Sequence, residues 1–364
     1  MTVTYKSGRA TELLVRRGLA LALLGASLLA ARAPAQDAAA AAPRLFSLSH
    51  PAMGTTYTLF LYAGDQAAAN REAERAFAIV DDVDALLSNY QPQSELSRIN
   101  REAYAAPVTT DPETFRFLKE SVDWSARSDG AFDITVGALM KAWGFFRSTG
   151  HVPDEAALAK VRAETGWQKL KLHAAGRTVR FSAPGIELDP GGIGKGFAVD
   201  RVVEMLRADG VRAAMLSAGS STIYALGAPP GKAGWRVDVP DPLRKSQVLS
   251  SVMLRDTSLS TASCAEKHFM LAGHLYCHIM DPRLLRPVEG RLQATVITPS
   301  ATDGDALSNV MFVEDATARR RTMARLRPRD RALVVSGRPE GEKQSCNVYR
   351  WSASVARGCG GQGR

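Results

Sequence analysis

A glycine-rich segment at Glu187–Asp200 is the first candidate for a ligand site. It reads ELDPGGIGKGFAVD, in which an apolar stretch ends at Asp189 and four glycines surround Lys195. An amphipathic helix is predicted to follow over Phe197–Arg207. Glycines at a turn into a helix let backbone N–H groups approach an anion closely, and the helix N-terminus favours negative charge. Because a lysine adds a point charge suited to phosphate, the segment predicts a cradle for a phosphorylated ligand. An ordinary tight turn with an exposed lysine is the alternative.

Two common phosphate loops do not fit this segment. A Walker loop has Ser or Thr directly after its lysine, whereas Gly196 follows Lys195 here, and the spacing of the glycines also differs. The glycine pattern is a poor match to a dinucleotide-binding fingerprint as well. The sequence therefore predicts a phosphate site of another type.

The elements that must position this loop are helices and strands in irregular alternation. The strand-like runs are Tyr57–Tyr62, Ala213–Leu216, Trp235–Val239, Ala294–Thr298 and Ala332–Val335. Helices are predicted over 67–88 and 112–128 from their apolar faces. Since no regular βαβ alternation is present, we expect an α+β fold with mixed, largely antiparallel sheets and packed helices.

Residues 1–35 are predicted to be a bacterial export signal. A basic start that includes Arg16 and Arg17 precedes a Leu/Ala-rich core at Gly18–Ala31, which is too short to span a bilayer comfortably. Small residues end the segment, and cleavage is predicted after Ala35. The arginine pair leaves a twin-arginine signal open as an alternative. The mature protein is therefore expected in the periplasm.

Charge and hydropathy argue against nucleic-acid and membrane partners. The net charge of +9 falls to +5 without residues 1–35, because that segment holds five Lys/Arg and one Glu. The remaining basic residues are spread along the chain, with one run at Arg319–Arg321. No later segment is apolar enough to cross a membrane, and no cysteine follows the signal core to carry a lipid. We expect no nucleic-acid partner and no membrane anchor.

Four cysteines remain, and their spacing does not match a zinc site. They are Cys264, Cys277, Cys346 and Cys359, with no CxxC pair. Export permits disulfides, although a chain of this size does not need them. Cys264 with Cys277, or Cys346 with Cys359, could pair, and the sequence does not decide between these arrangements.

Five segments, taken together, resemble the FAD:protein FMN transferases, the ApbE-type flavin transferases. In chain order they are PAMGT (51–55), SNY with SELSRIN (88–100), GAFDITVG with WGF (130–145), ELDPGGIGKGFAVD (187–200) and YCHIMDP (276–282). The resemblance extends from about His50 to Val335. We therefore expect four parts in the chain: the signal (1–35), an alanine-rich linker (36–45), a transferase domain (46–336) and a peripheral tail (337–364).

The resemblance implies a specific reaction. Such enzymes use Mg²⁺ to cleave FAD, attach FMN through its phosphate to a Thr or Ser of an acceptor protein, and release AMP. Attack on a pyrophosphate phosphorus requires its charge to be neutralised, which a divalent metal and a lysine can do. The implied architecture is two intimately joined lobes with the FAD cleft between them. A metal-dependent FAD pyrophosphatase and a non-catalytic periplasmic FAD-binding protein are the alternatives.

The family pattern implies which residues contact FAD. Lys195 is expected to hold the pyrophosphate, and Asp189 to hydrogen-bond the flavin or its ribityl chain. The other implied FAD contacts are Met53, Tyr90, Ala131, Phe132, Asp133 and His278. His278 is also the implied catalytic base, since an imidazole can accept the proton of an attacking hydroxyl. A purely structural histidine in a turn is the alternative.

The same pattern implies a magnesium site. Its ligands are expected to be the backbone carbonyl of Gly192 and the side chains of Asp305 and Asn309. Spacing of four residues places Asp305 and Asn309 on one face of a helix. Asn309 replaces the family's threonine, and an amide oxygen can still ligate a hard cation. A helix N-cap is the alternative role of Asp305.

Three further departures from the family lie in the C-terminal half. Ser217–Ser221 replaces an Asn-x-Gly-Gly segment, and Thr261–Glu266 lacks the usual serine, glycine and aromatic residue. Leu284 and Leu285 replace a Thr-Gly pair. Because leucine restricts backbone angles that glycine permits, we expect this loop to differ from the family's.

Overall fold

The computed structural model describes residues 42–244, 246–265, 267–337, 344–352, 355 and 359. The predicted export signal and most of the predicted linker lie outside these residues. Within the described part of the chain, no helix combines the length and hydropathy needed to cross a bilayer.

The strands of the described residues are short to medium in length. In chain order they are β1 (Arg44–Ala52), β2 (Thr55–Ala63), β3 (Val108–Thr109), β4 (Leu170–His173), β5 (Thr178–Phe181), β6 (Ala213–Ala218), β7 (Thr222–Gly227), β8 (Trp235–Pro240), β9 (Val248–Leu254), β10 (Thr257–Ser263), β11 (His268–Leu271), β12 (His274–Cys277), β13 (Met280–Asp281), β14 (Arg286–Pro287), β15 (Arg291–Thr298), β16 (Arg331–Gly337) and β17 (Gln344–Tyr349).

The α-helices alternate irregularly with these strands. They are α1 (Gln66–Leu87), α2 (Glu95–Glu102), α3 (Pro112–Arg127), α4 (Gly137–Ala142), α5 (Glu155–Glu164), α6 (Gly194–Ala208), α7 (Ala301–Val313) and α8 (Ala316–Arg325). Every strand and helix predicted from the sequence is present, although α6 begins three residues earlier than predicted.

One antiparallel sheet organises the molecule. Its strand order is β1-β2-β6-β7-β10-β15-β16-β17, and each neighbouring pair is antiparallel. Every second residue of β2, such as Tyr57 and Leu59, points into the core and is fully buried. Helices α1, α6 and α7 cover this core. The β8–β9 hairpin contributes Trp235 and Val237 to a second cluster with Phe60 from the other face of β2. The predicted α+β class with largely antiparallel sheets is confirmed.

The sheet extends past both predicted domain boundaries. β1 begins at Arg44, inside the range predicted as a linker, and β17 lies inside the range predicted as a peripheral tail. β17 pairs with β16 in register from Ala332 and Tyr349 to Gly337 and Gln344. The segment after residue 336 therefore supplies the edge strand of the main sheet.

Two tight turns meet at one end of the sheet. Met53 and Gly54 join β1 to β2 with φ of 50° and 69°, the signs that a two-residue hairpin turn requires. Gly219, with φ of 60°, begins the turn from β6 to β7, and its N–H donates to the carbonyl of Thr56 at 2.9 Å. Because β2 and β6 are antiparallel neighbours, both turns lie at the same end of the sheet, beside the start of α6.

Both disulfide arrangements left open by the sequence occur. Cys264 pairs with Cys277, and Cys346 pairs with Cys359, each across 13 residues of sequence. The four cysteines of the chain are therefore all paired.

Candidate functional site

A cavity of about 130 Å³ gathers most of the predicted site residues. Its wall combines the glycine loop before α6, the loop between α3 and α4, the segment from His278 to Pro282, and the inner face of α7. The predicted residues that line it are Ala131, Phe132, Asp133, Asp189, Gly192, His278 and Asn309. The remaining predicted residues, Met53, Tyr90, Lys195 and Asp305, are not among the lining residues.

The glycine loop is a short 3₁₀ turn at Pro190–Gly192 that leads into α6. The N–H of Asp189 donates to the carbonyl of Ile134 at 2.8 Å, and its carboxylate accepts from the N–H of Gly191 at 2.8 Å. A Cβ on Gly196 would lie 2.2 Å from the carbonyl oxygen of Ala301, so only glycine lets α6 pack this closely on α7. The loop therefore leads into a helix N-terminus, the position that an anion cradle requires, and its Gly191 and Gly196 N–H groups donate to the carboxylates of Asp189 and Asp305.

Lys195 lies in the first turn of α6 and reaches the turn between β6 and β7. Its Nζ donates to Oγ of Ser221 at 2.5 Å, and the side chain is half-buried. In the sequence, Ser221 belongs only to a segment that departs from the family pattern. Its contact with Lys195, across 26 residues of sequence, places a hydroxyl in the predicted phosphate region.

Asp305 lies inside α7 and is buried. The N-cap of α7 is Ser300, whose side chain accepts from the N–H of Asp303, so the alternative role of Asp305 as an N-cap is wrong. The carboxylate of Asp305 accepts from the N–H of Gly196 at 2.7 Å and from the hydroxyl of Thr222. Burial raises the pKa of Asp305, and the nearby Lys195 charge opposes that rise.

Two of the three predicted metal ligands, the Gly192 carbonyl and the Asn309 side chain, are in contact, and the Asp305 carboxylate is bonded to Gly196 and Thr222. The Nδ2 atom of Asn309 donates to the carbonyl of Gly192 at 3.2 Å and to the carbonyl of Asp305 at 3.0 Å. A 180° rotation of the Asn309 side-chain amide would place Oδ1 where Nδ2 now lies, because the two ends of the amide have nearly the same shape. One carboxylate with carbonyl and amide oxygens is a donor set that suits Mg²⁺. The described residues contain no cluster of three or more His, Cys, Asp or Glu side chains that a transition metal would favour.

The hydrogen bonds of His278 determine which ring nitrogen carries the proton. Its Nδ1 lies 2.8 Å from the carbonyl oxygen of Lys267, and its backbone N–H donates to the same oxygen at 3.1 Å. Because a carbonyl only accepts, Nδ1 is the protonated nitrogen and Nε2 is left as the acceptor. Burial lowers the pKa of His278 to about 4, so the ring is neutral at physiological pH. A neutral imidazole at the cavity wall can accept a proton.

The loop from Ala131 to Asp133 forms the opposite wall. The carboxylate of Asp133 accepts from the N–H and hydroxyl of Thr135 at 2.8 and 2.7 Å, and from the N–H of Trp167 at 2.9 Å. Burial raises the pKa of Asp133 despite these hydrogen bonds. Asp133 therefore holds the loop in shape, and Phe132 supplies an aromatic surface beside Gly192.

Tyr90 belongs to an adjoining cavity of about 310 Å³. The ring is 62% exposed and stacks on Phe146, with centroids 4.4 Å apart and planes within 4°. The two cavities adjoin because consecutive residues, Leu188 and Asp189, line one each.

Met53 lies at the β1–β2 turn beside α6. Its Sδ accepts from the hydroxyl of Tyr57 at 3.0 Å, and a Cβ on Gly194 would lie 3.5 Å from its Cε. Met53 has a φ of 50°, and a positive φ at a residue other than glycine is uncommon and often marks a functional turn.

Leu285, which stands where the family has glycine, keeps a positive φ. It adopts φ of 56°, the region that glycine favours, while its side chain is buried in a cluster with Trp143 and Phe145. The indole N–H of Trp143 donates to the carbonyl of Leu285 at 3.1 Å. The replacement of glycine by leucine therefore does not force the backbone out of the left-handed region.

Asp200, the last residue of the glycine-loop motif, has a role that the sequence did not reveal. Its carboxylate accepts from Oγ of Ser300 at 2.7 Å, from the N–H groups of Ala301 and Thr302 at 2.9 Å each, and from Oγ1 of Thr302 at 2.7 Å. Asp200 on α6 thus satisfies the first N–H groups of α7, the helix that carries Asp305.

The glycine loop and the neutral imidazole of His278 thus line one cavity, and the buried carboxylate of Asp305 is bonded to the start of α6 directly after that loop. The chain belongs to the ApbE family, whose family model matches residues 53–334. It is 30% identical over 286 residues to the FAD:protein FMN transferase of Treponema pallidum, covering 74% of this chain and 79% of that one. It is 32% identical over 274 residues to a protein of the same name from Klebsiella pneumoniae, covering 74% and 82%.

Solved structures show the same fold. The ApbE protein of Thermotoga maritima has a TM-score of 0.74 and 27% identity, covering 80% of this chain and 94% of that one. The flavinyl transferase ApbE of Pseudomonas stutzeri, in its apo form, has a TM-score of 0.74 and 27% identity, covering 84% and 95%.

Proposed function

We propose that this protein is a Mg²⁺-dependent FAD:protein FMN transferase that releases AMP and links FMN to a Thr or Ser of an acceptor protein. The observation that carries the proposal is the convergence of the glycine loop, Lys195, Asp305 and His278 on one region of the fold. The names of the relatives support the same reaction.

Binding of FAD follows from the charges and surfaces of the site. Lys195 and the N-terminus of α6 would hold the pyrophosphate. Asp189 and the wall formed by Ala131–Asp133 would contact the flavin portion, with Tyr90 and Met53 at the flanks. Ser221 keeps the ammonium group of Lys195 in place before the ligand arrives.

The metal site of the proposal consists of the Gly192 carbonyl, Asp305 and Asn309. When bound, Mg²⁺ would supply positive charge against the pyrophosphate oxygens. Before it binds, Asp305 is held by Gly196 and Thr222, so the carboxylate is already oriented.

His278 is the proposed acceptor of the hydroxyl proton. The acceptor's hydroxyl oxygen forms a bond to the FMN phosphorus, the bond from that phosphorus to the bridging oxygen breaks, and AMP leaves with that oxygen. The proton of the hydroxyl passes to Nε2 of His278, the nitrogen that the Lys267 contact leaves unprotonated. Nearby phosphate charge raises the pKa of an imidazole, which strengthens His278 as a base once FAD is bound.

The proposed location is the periplasm, after cleavage of the export signal behind Ala35. Two disulfides support this location, because such bonds persist in oxidising compartments and are rare in the cytosol.

Incubation with FAD and Mg²⁺ tests the proposed reaction. A candidate acceptor is co-expressed, and mass spectrometry looks for covalently added FMN on a Thr or Ser while AMP is quantified by chromatography. The proposal expects AMP release that depends on the acceptor and stops when the metal is chelated. AMP release without acceptor would instead indicate an FAD pyrophosphatase, and tight FAD binding without AMP would indicate a non-catalytic binding protein.

A further inference from the structure

The Cys264–Cys277 disulfide lies one residue from the proposed base. Cys277 directly precedes His278 in the chain, and both cysteines are buried, with 6% and 1% of their surface exposed. Cys264 follows β10, and its N–H donates to the carbonyl of Leu292 at 3.3 Å. The disulfide therefore ties the residue before His278 to the end of a strand of the main sheet.

The covalent loop closed by this disulfide contains the hydrogen-bond partner of His278. The carbonyl of Lys267 receives both the Nδ1–H and the backbone N–H of His278. A second contact inside the loop joins Nδ1 of His268 to the carbonyl of Cys264 at 3.0 Å. The loop thus presents the Lys267 carbonyl to the imidazole from a fixed position.

The hairpin within the loop is a separate two-stranded sheet. Among the described strands, β11 and β12, of four residues each, pair with one another and with no other strand. An isolated two-stranded hairpin is marginally stable in water. It is supported here by packing of Phe269 and Tyr276 against Phe145 and Trp143, and by a contact of 3.3 Å between Nε2 of His274 and the carboxylate of Glu289. A covalent link at the base of the hairpin restricts the loop where those rings do not reach.

We propose that the Cys264–Cys277 disulfide is a positioning device for His278, which keeps the Lys267 carbonyl on Nδ1 and so keeps Nε2 as the free acceptor toward the cavity. The catalytic consequence rests on the proposed function, in which His278 accepts the hydroxyl proton. The geometric consequence does not, and it can be measured in the absence of turnover.

Several charged groups face His278 and affect any titration of its ring. The charges of Lys267 and His268, in the disulfide loop, and of Lys195, on α6, disfavour the imidazolium, whereas the hydrogen bond to the Lys267 carbonyl favours it. Asp133 and Asp189 line the same cavity. Release of the loop admits water and so removes burial, the largest cause of the lowered pKa, while loss of the carbonyl contact acts in the opposite sense.

Two double variants form a matched pair. Cys264→Ser/Cys277→Ser removes the disulfide beside His278, and Cys346→Ser/Cys359→Ser removes one that closes a loop of the same length at the edge strand β17. ¹⁵N-histidine spectra of the full chain report the tautomer and pKa of His278 in each protein, assigned with His278→Asn. FAD affinity and the turnover number for AMP release with an acceptor are measured in parallel.

The proposal expects a change in the first variant alone. The single Nδ1–H tautomer of His278 becomes a mixture, and its pKa rises toward the ordinary histidine value of about 6.5. The turnover number falls by up to about 10²-fold, the effect of a misplaced catalytic group, while FAD affinity is retained. The control variant keeps the tautomer, the pKa and the turnover number of the parent.

A reductant titration covers the case in which the first variant fails to fold. The Cys346→Ser/Cys359→Ser protein retains only the disulfide beside His278, so dithiothreitol opens that bond in a chain already folded, and reoxidation restores the spectrum. An unchanged His278 tautomer and pKa after opening would overturn the proposal and leave the disulfide a stabilising link. If no protein releases AMP but the spectra change as expected, the proposed function fails while the positioning inference stands.

Discussion

At the residue scale, burial determines the protonation of the groups that the site would use. It lowers the pKa of His278 to about 4 and raises the pKa of Asp189 and Asp305. A neutral imidazole can accept a proton, and a carboxylate whose charge is poorly solvated gains from a nearby cation. Burial therefore keeps the imidazole neutral and makes a cation beside the carboxylates favourable, while the lowered pKa weakens His278 as a base until phosphate charge is nearby.

Replacement of His278 by Asn should separate chemistry from binding. Because a general base contributes about 10²–10⁴-fold, transfer should slow by that factor while FAD affinity is retained. The base works only when neutral, so kcat/KM of the parent, which reports the free enzyme, should fall through His278 only as the pH falls toward about 4. The kcat/KM profile should show no His278 limb between about pH 6 and 8, and any His278 limb in kcat should lie at a higher pH than in kcat/KM.

The matched control for that variant is His274→Asn, at the exposed turn of the β11–β12 hairpin. It should leave the rate and the pH profile unchanged. A His278→Asn protein with a lower melting temperature but an unaltered rate per folded molecule would show that the histidine is structural. Weaker FAD binding with an unchanged pH profile would indicate a flavin contact instead.

Lys195→Ala should weaken FAD binding without unfolding the protein. Loss of a charge-assisted contact to phosphate costs about 1.5–3 kcal/mol, which is roughly ten- to a hundred-fold in affinity. Ser221→Ala, which removes only the partner of the ammonium group, should have a smaller effect. Fluorescence titration with FAD measures the affinities, with the exposed Lys232→Ala as control. Equal affinity of the Lys195→Ala and parent proteins would exclude the glycine loop from the FAD site.

Asn309→Thr should lower the Mg²⁺ concentration needed for half-maximal AMP release. Threonine lacks the amide N–H that Asn309 donates to the Gly192 carbonyl, and it offers a hydroxyl oxygen instead. Asn309→Val, which has the shape of threonine without the oxygen, is the control and should need more Mg²⁺.

Asp305→Ala should abolish AMP release at moderate Mg²⁺ concentrations. Full activity of that variant would exclude the carboxylate from the proposed metal site.

At the element scale, the site depends on the contact between α6 and α7. Gly196 allows the two helices to approach, and Asp200 joins them through four hydrogen bonds to the first turn of α7. α6 carries Lys195, and α7 carries Asp305. A change in this contact should therefore alter stability and the proposed metal site together.

Asp200→Ala should destabilise the protein and raise its requirement for Mg²⁺. Hydrogen bonds to a charged group contribute about 1.5–3 kcal/mol each and are not additive, so a loss of at least that size is expected in the free energy of unfolding. Denaturant unfolding and a Mg²⁺ titration of AMP release measure the two effects. Asp209→Ala, at the end of the same helix in an ion pair with Arg75, is the control and should cost at most about 1 kcal/mol. Similar losses in both variants would contradict the helix-coupling role.

At the scale of the whole molecule, the main sheet continues into the C-terminal segment. β17 covers the edge of β16, whose Leu333 and Val335 are fully buried. The indole of Trp351 donates to Oγ of Ser250 at 3.1 Å, which fastens the chain after β17 to the β8–β9 hairpin. This segment is part of the folded unit that carries the site.

A chain that ends at Gly337 should aggregate or melt at a lower temperature than the parent. Its loss of β17 exposes unpaired backbone groups and apolar side chains along β16, which is a template for association. Light scattering and thermal unfolding measure the effect, and a chain that ends at Cys359 is the control because it retains β17. A truncated protein that stays monomeric with the melting temperature of the parent would show that the segment is dispensable.

From the sequence alone, five of the described strands and three of the described helices could be predicted, because apolar periodicity and strand composition are local properties. Glycines around Lys195 predict an anion cradle, since only they permit the backbone approach. The four-residue spacing of Asp305 and Asn309 placed both side chains on one helix face. These inferences are local, so neighbouring residues in the chain are sufficient to make them.

Packing in three dimensions brings together groups that are distant in sequence and sets their protonation. The contacts of Lys195 with Ser221, of Asp200 with Ser300, and of His278 with a carbonyl in a disulfide loop each join segments that no periodicity relates. The pairing of β17 with β16 is of the same kind. Such contacts depend on how the helices pack and on the order of the strands in the sheet. Burial also depends on the fold, so the pKa shifts that it causes cannot be predicted from the sequence.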